Sequence, residues 1–354
     1  GWTGMEKERY TKRGGPESDR LKMMFWRRVM KRVLIITTGG TIAMGRDSSG
    51  AVRVLDENVL IRQQSALASV AHVDFFTFSN LPSVHLTLDH VIRLRRLILD
   101  KAKDYDGIVV THGTDTLEET AFFLDLTLPL ARPVILTGAM RSSNEPGSDG
   151  FLNLLHSVQV AADPESADKG VLVVMNGEIH GARFVQKMHT SHVEAFASPQ
   201  FGPYGWVERT GIRFLVEAVK RECIPVRPEA LTNRIPIIKA GFDTDDSLIF
   251  CALDRSVRGL VVEGLGMGHL PPAMMPGIVR ALEEGIPVVI TSRSPKGAVE
   301  PVYDFEGGGR DLDRRGAIFA RGLPAHKARI QLMVALAADP RPKTPEELRE
   351  LFSR

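Results

Sequence analysis

Short, continuous apolar runs alternate along this chain with longer stretches of helical character. Residues 33–37 (Val33-Leu34-Ile35-Ile36-Thr37) form the first run, which ends at Gly39-Gly40. Similar runs follow at 108–110, 134–136 and 171–175. Strands without polar alternation are buried on both faces, as in a parallel sheet covered by helices. Residues 90–103 and 118–126 read as helices between them. The second half repeats the theme, with strands at 235–240, 259–262 and 288–290 and helices at 272–284 and 327–338. The pattern predicts an α/β protein. Its larger N-terminal domain has an open, mostly parallel, doubly wound sheet, and a smaller C-terminal α/β domain follows. The mixed, polar region 205–234 carries Pro225 and Pro228 and holds the linker. The expected divisions are a domain at 31–210, a linker at 211–234 and a domain at 235–354.

Composition fits this picture. A chain of 354 residues, 43% hydrophobic, is long enough for a large core and for two domains. Low aromatic content (6%) with 32 Gly and 21 Pro suits α/β layers with many turns better than a helical bundle. A net charge of +2 gives no basis for a nucleic-acid or membrane partner. Two cysteines, Cys223 and Cys251, are too few for a disulfide framework, and free thiols in a cytoplasmic setting are expected. No apolar run reaches the roughly 18 residues of a membrane-spanning helix. The first 30 residues are rich in Lys, Arg, Glu and Gly and lack periodicity. Met23-Met24-Phe25-Trp26 is shorter than the about 7–15 residues of a signal-peptide apolar region. This segment reads as a disordered extension or a start-site artefact, since Met30 stands just before the first strand; a surface-binding arm is the alternative.

Ligands of open parallel sheets bind beyond the carboxyl ends of the strands, so the chemistry is sought in the loops there. Thr111-His112-Gly113-Thr114-Asp115-Thr116 is one such loop. It also suits a helix start, with a capping box of Asp115 and Glu118 or of Thr116 and Glu119. A cap accounts for one hydroxyl or carboxylate and one acid, but not for three threonines, a histidine and an aspartate in six residues. Thr37-Thr38-Gly39-Gly40-Thr41-Ile42-Ala43 is a second loop, whose glycines permit a tight turn and close approach to a ligand. It lacks P-loop and G-x-G-x-x-G spacing. Gly264-Leu265-Gly266-Met267-Gly268-His269 has His where a dinucleotide loop needs its third Gly. His180, His189 and His192 match no zinc-protease spacing, and no G-x-S-x-G elbow is present. No metal or cofactor is expected.

Taken together, the two threonine-glycine loops resemble the signature loops of the bacterial L-asparaginase family, T-G-G-T-I-A and T-H-G-T-D-T. Thr137-Gly138-Ala139-Met140-Arg141 with Ser148-Asp149-Gly150, the strand ending at Met175-Asn176, the segment Gly181 to Lys187, and Pro324 to Leu336 resemble further parts of that family. The resemblance runs from about residue 31 to the C-terminus. It implies hydrolysis of the L-asparagine side-chain amide to L-aspartate and ammonia through an acyl-threonine intermediate, without cofactor. Thr41 would be the nucleophile, supported by Thr114, Lys187 and Asp115. A lysine in that role must be at least partly neutral, which burial favours. Asp115 would also take the substrate ammonium and Ser83 its carboxylate, with Gly113 orienting it. Backbone donors near Thr114 or Ala139 would form the oxyanion hole.

The chain departs from the family in three places. No tyrosine occurs in 45–52, where many members carry a lid tyrosine. Val84 stands where many have glutamine, and Met267 where asparagine is frequent. Both changes remove hydrogen-bonding groups, which predicts altered affinity or a weaker glutaminase side activity. The resemblance also implies a homodimer or homotetramer, with Glu300, Asp304 or Glu306 as candidate contributors to a neighbouring site. Two other readings are an ammonia-releasing subunit that acts with a tRNA-binding partner, and a regulatory paralogue that has lost turnover.

Overall fold

The computed structural model describes residues 30–46, 52–54, 64–217, 222–342 and 344–353. The expectation for 1–30 therefore lies outside the described residues, apart from Met30, as does most of the lid stretch.

Strand β1 (Arg32–Thr37) is buried from its second residue onward. The chain then makes a 3-10 turn, Thr41–Ala43, and a small hairpin of β2 (Met44–Arg46) and β3 (Val52–Val54). After α1 (Gln64–Leu67) comes β4 (His72–Thr77), parallel to β1. Next are α2 (Leu88–Lys101) and β5 (Gly107–Thr111), which pairs in parallel with the other edge of β1. The chain thus moves to one side of β1 and then to the other. That reversal opens a crevice beyond the carboxyl ends of β1 and β5. Helix α3 (Leu117–Thr127), β6 (Val134–Thr137), α4 (Gly150–Ala162) and β7 (Val171–Met175) extend the parallel sheet.

Side chains alternate across each strand, so consecutive apolar residues serve opposite faces. Leu34, Ile36, Ile108, Val110 and Leu136 pack with Leu94 and Ile98 of α2 and with Ala121 and Phe122 of α3. Val33, Ile35, Val109 and Ile135 pack on the other face with Leu154 and Val158 of α4. The sheet is doubly wound, as expected from its uninterrupted apolar strands.

The region beyond β7 corrects the linker assignment. Strand β8 (Glu178–Gly181) is antiparallel to β7, and the short pair β9 (Gln186–Lys187) and β10 (Phe196–Ala197) follows. Then β11 (Gly205–Glu208) and β12 (Gly211–Phe214) form a hairpin that completes the large sheet, in the order β12-β11-β8-β7-β6-β5-β1-β4. The start of the expected linker, 211–214, is therefore sheet. Its polarity reflects an edge hairpin with one face against the core, through Val207, Ile212 and Phe214.

The smaller sheet is parallel: β13 (Ile237–Lys239), β14 (Leu260–Gly264), β15 (Val288–Ser292) and β16 (Ile318–Phe319), adjacent in that order. Helices α5 (Ser247–Leu253), α6 (Met275–Glu283) and α7 (Gly309–Arg314) contribute Ile249, Ile278 and Leu312 to the core on one face. On the other face lie α8 (Ala325–Leu336) and α9 (Pro345–Ser353). Helix α8 contacts α3 as well as β14 and β15, so it joins the two sheets through one continuous core.

Candidate active site

Missing side chains bring the loops together. Gly40 has φ +85°, and a Cβ there would lie 2.5 Å from both Cα and N of Gly113. The loop after β1 therefore rests directly on the loop after β5, and Thr41 is the next residue along. A Cβ on Gly113 would lie 2.8 Å from Cβ and Oγ of Ser83. On Gly138 it would meet the His112 carbonyl at 2.6 Å and Thr114 Cγ2 at 3.2 Å. A Cβ on Gly150 would come within 3.0 Å of Ile42 and 3.4 Å of the Ala139 Cβ. The segments carrying Thr41, Ser83, Thr114 and Ala139 thus meet at the crevice with no room for side chains at these glycines.

Lys187 reaches the same place from β9. Its Nζ donates to Thr114 Oγ1 at 2.9 Å and to Asp115 Oδ1 at 2.7 Å. The lysine side chain is only 15% exposed, whereas that of Asp115 is 62% exposed. The expected Thr114-Lys187-Asp115 group is therefore in direct contact. The Lys187 backbone N–H donates to Glu118 Oε1 at 3.1 Å, so α3 holds the lysine backbone as well as following the threonine.

The capping-box expectation is corrected here. Thr116 occupies the N-cap of α3 but makes no side-chain cap bond. Its hydroxyl donates to the Ser83 carbonyl at 3.1 Å, tying the β5 loop to the Ser83–His85 turn. Glu118 faces inward, with Oε2 accepting from His326 Nε2 at 3.1 Å. Burial pushes its carboxyl up, but His326, Lys327 and the Lys187 amide together hold it below the usual carboxylate range.

His112 lies inside the signature but is not placed to act as a base. It is fully buried, with Nδ1 2.8 Å from the Gly113 carbonyl and Nε2 3.0 Å from Thr120 Oγ1. A carbonyl only accepts, so Nδ1 carries the proton and Nε2 accepts from Thr120. Desolvation lowers the imidazole pKa to about 4, although the Gly113 bond opposes this. The ring is a neutral brace beneath Gly113.

The Asp149 carboxylate accepts from the backbone N–H groups of Met140 and Arg141 and from Asn153 Nδ2. Asn153 also donates to the Gly138 carbonyl and accepts from the Asn176 N–H, so one amide on α4 braces the loops after β6 and β7. Asn153, His326 and Lys327 are contributors that the sequence did not single out, and Glu118 was read there only as a capping-box acid.

Ser83 is buried beside Gly113, and Ala139 is buried below the Thr41 turn. Val84 is on the Ser83 turn but is 62% exposed. Met267 sits in a tight loop closed by the Leu265 and His269 bridge. Asp304 is exposed and bonded to Arg314 at 2.7 Å. Glu300 and Glu306 are also exposed, and none of the three is joined to the Thr114 group. Cys223 and Cys251 are not joined in a disulfide. Among the described residues, no group of His, Cys, Asp and Glu could hold a metal ion, and no helix is long and apolar enough to cross a membrane.

Two family models match the chain: "Asparaginase, N-terminal" over residues 32–220 and "Glutaminase/Asparaginase C-terminal domain" over 234–352. An L-asparaginase of Bacillus licheniformis is 37% identical over 312 residues, covering 87% of this chain and 96% of that protein. A probable L-asparaginase of Deinococcus radiodurans is 41% identical over 327 residues, covering 92% and 98%. The crystal structure of a probable cytoplasmic L-asparaginase from Campylobacter jejuni superposes with a TM-score of 0.81 at 32% identity, over 92% of this chain and 99% of that one.

Proposed function

The chain belongs to the asparaginase family, and we propose that its hydrolysis of L-asparagine to L-aspartate and ammonia runs through an acyl-threonine intermediate on Thr41. The observation that carries this reading is the Thr114-Lys187-Asp115 contact beside the Gly40–Gly113 junction. It supports a lysine-bonded threonine hydroxyl acting at the crevice where the loop carrying Thr41 rests on Gly113.

An amide resists direct attack by water, and a covalent step divides the barrier in two. Thr41 Oγ1 forms a bond to the side-chain carbonyl carbon. The C–N bond then breaks, and the nitrogen leaves as ammonia with the proton given up by the hydroxyl. Water next adds to the ester, returning the proton to Thr41 and releasing aspartate. Thr114 serves this second step, held by Lys187 and Asp115 where its hydroxyl can orient the incoming water toward the ester carbonyl. Asp115 holds Lys187 with one oxygen and takes the substrate ammonium with the other. Ser83 takes the α-carboxylate, and backbone N–H groups near Thr114 or Ala139 stabilise the oxyanion.

Trapping tests this order of events. Acid-quenched enzyme taken during asparagine turnover is mapped by peptide mass. An aspartyl ester on the peptide carrying Thr41 is expected; an ester on the peptide carrying Thr114 would reverse the two roles.

Val84 and Met267 offer no side-chain amide to a longer substrate, which supports a preference for asparagine over glutamine. Comparable kcat/KM values for the two would refute it. The enzyme works as a homodimer or homotetramer. Exposed Val302, Tyr303 and Phe305 beside the Met267 loop, with both rings packed on His269, support an interface there. A cytoplasmic location agrees with the absence of a disulfide between Cys223 and Cys251 and with the likeness to the probable cytoplasmic L-asparaginase of Campylobacter jejuni.

A further inference from the structure

Lys327 is a fully buried lysine that the reaction above does not use. It sits in the first turn of α8, where the helix dipole disfavours a cation. Its Nζ donates to the backbone carbonyls of Ala182 (2.8 Å), Arg183 (3.1 Å) and Val185. Those carbonyls belong to the turn between β8 and β9, which ends two residues before Lys187. Buried carbonyls require donors. An ammonium supplies three N–H groups, one for each of these oxygens, while a neutral amine supplies two. Glu118 Oε2 lies 4.0 Å from the same Nζ, and its Oε1 holds the Lys187 N–H. The Phe122 ring of α3, 5.7 Å away, walls the site.

We propose that Lys327 and Glu118 are positioning residues for Lys187: one fixes the turn that delivers it, the other fixes its backbone, and together they set the Nζ–Thr114 distance. The inference rests on the reading of Lys187 as the partner of Thr114. It makes α8, far along the chain, part of the device that aims the site. A buried lysine could instead only satisfy carbonyls for folding, and the two roles differ in one respect. A residue that acts through Lys187 has nothing left to act on once Lys187 is gone.

The test is a double-mutant cycle on the full-length enzyme, reading ammonia release from asparagine with Lys327→Met, Lys187→Met and the double variant. Lys327→Met is expected to lower kcat by at least about 30-fold with KM within about 3-fold. Added to Lys187→Met, it is expected to cost less than about 2-fold more. Losses that multiply, or a Lys327→Met enzyme within about 2-fold of wild-type kcat, would overturn the proposal. Wild-type kcat in Lys187→Met would sink both this inference and the role given to Lys187 above. If Lys327→Met does not fold, Glu118 carries the test. Glu118→Gln keeps an acceptor for the Lys187 N–H and is expected to stay within about 5-fold in kcat. Glu118→Ala should fall at least about 30-fold, and that loss should vanish beside Lys187→Met. Equal losses in the two Glu118 variants, or losses that multiply, would overturn it.

Discussion

At the scale of single residues, the site depends on side chains that are missing as much as on those present. Gly40 combines a left-handed φ with backbone contact against Gly113. Gly40→Ala should lower kcat/KM at least about 100-fold and cost about 1–3 kcal/mol, measured by ammonia release and urea denaturation. A variant with near wild-type activity would show that the two loops need not touch. His112 makes a separate prediction. Its folded pKa of about 4 lies below the ordinary 6.5, so as pH falls the unfolded chain takes up the proton first. Its contribution is complete above 6.5 and fades as pH drops toward 4, by about 3 kcal/mol at about 1.36 kcal/mol per pKa unit. Denaturation free energies measured across this window should fall less steeply for His112→Gln than for wild type. Parallel pH profiles would mean that the ring is not desolvated.

At the scale of elements, the start of α3 is a connector as well as a helix. Thr116 spends its hydroxyl on the Ser83 carbonyl rather than on its own helix. Thr116→Val should therefore raise KM by about 5- to 20-fold, through a displaced Ser83 turn, with kcat within about 3-fold. A fall in kcat at unchanged KM would place Thr116 in the chemistry instead. The strands β1, β5, β6, β7, β14 and β15 were legible because full burial demands uninterrupted apolar residues, as in 33–37 and 171–175, whereas the largely exposed edge strand β4 was not. The hairpin at 205–214 was not, since a strand buried on one face mixes polar residues with apolar ones. The threonine loops, with their glycines, were legible as local patterns, and the Lys187 segment only through its resemblance to the family. The Glu118–His326 bond was not, because its partners lie 208 positions apart and meet only through tertiary packing. The lid stretch lies largely outside the described residues.

At the scale of the whole molecule, α8 is shared by both sheets, and its Lys327 grips the turn that carries Lys187. Two sheets that share a core should melt together. Calorimetry and far-UV circular dichroism should therefore show one coincident transition; two separated transitions would indicate domains that fold independently. The central claim is that Thr41 forms the covalent bond with the substrate. It is tested most directly by kcat/KM for ammonia release from asparagine in Thr41→Ala, with folding checked by circular dichroism. The account predicts a loss of roughly three or more orders of magnitude in a folded protein. A Thr41→Ala enzyme within about tenfold of wild type would contradict it.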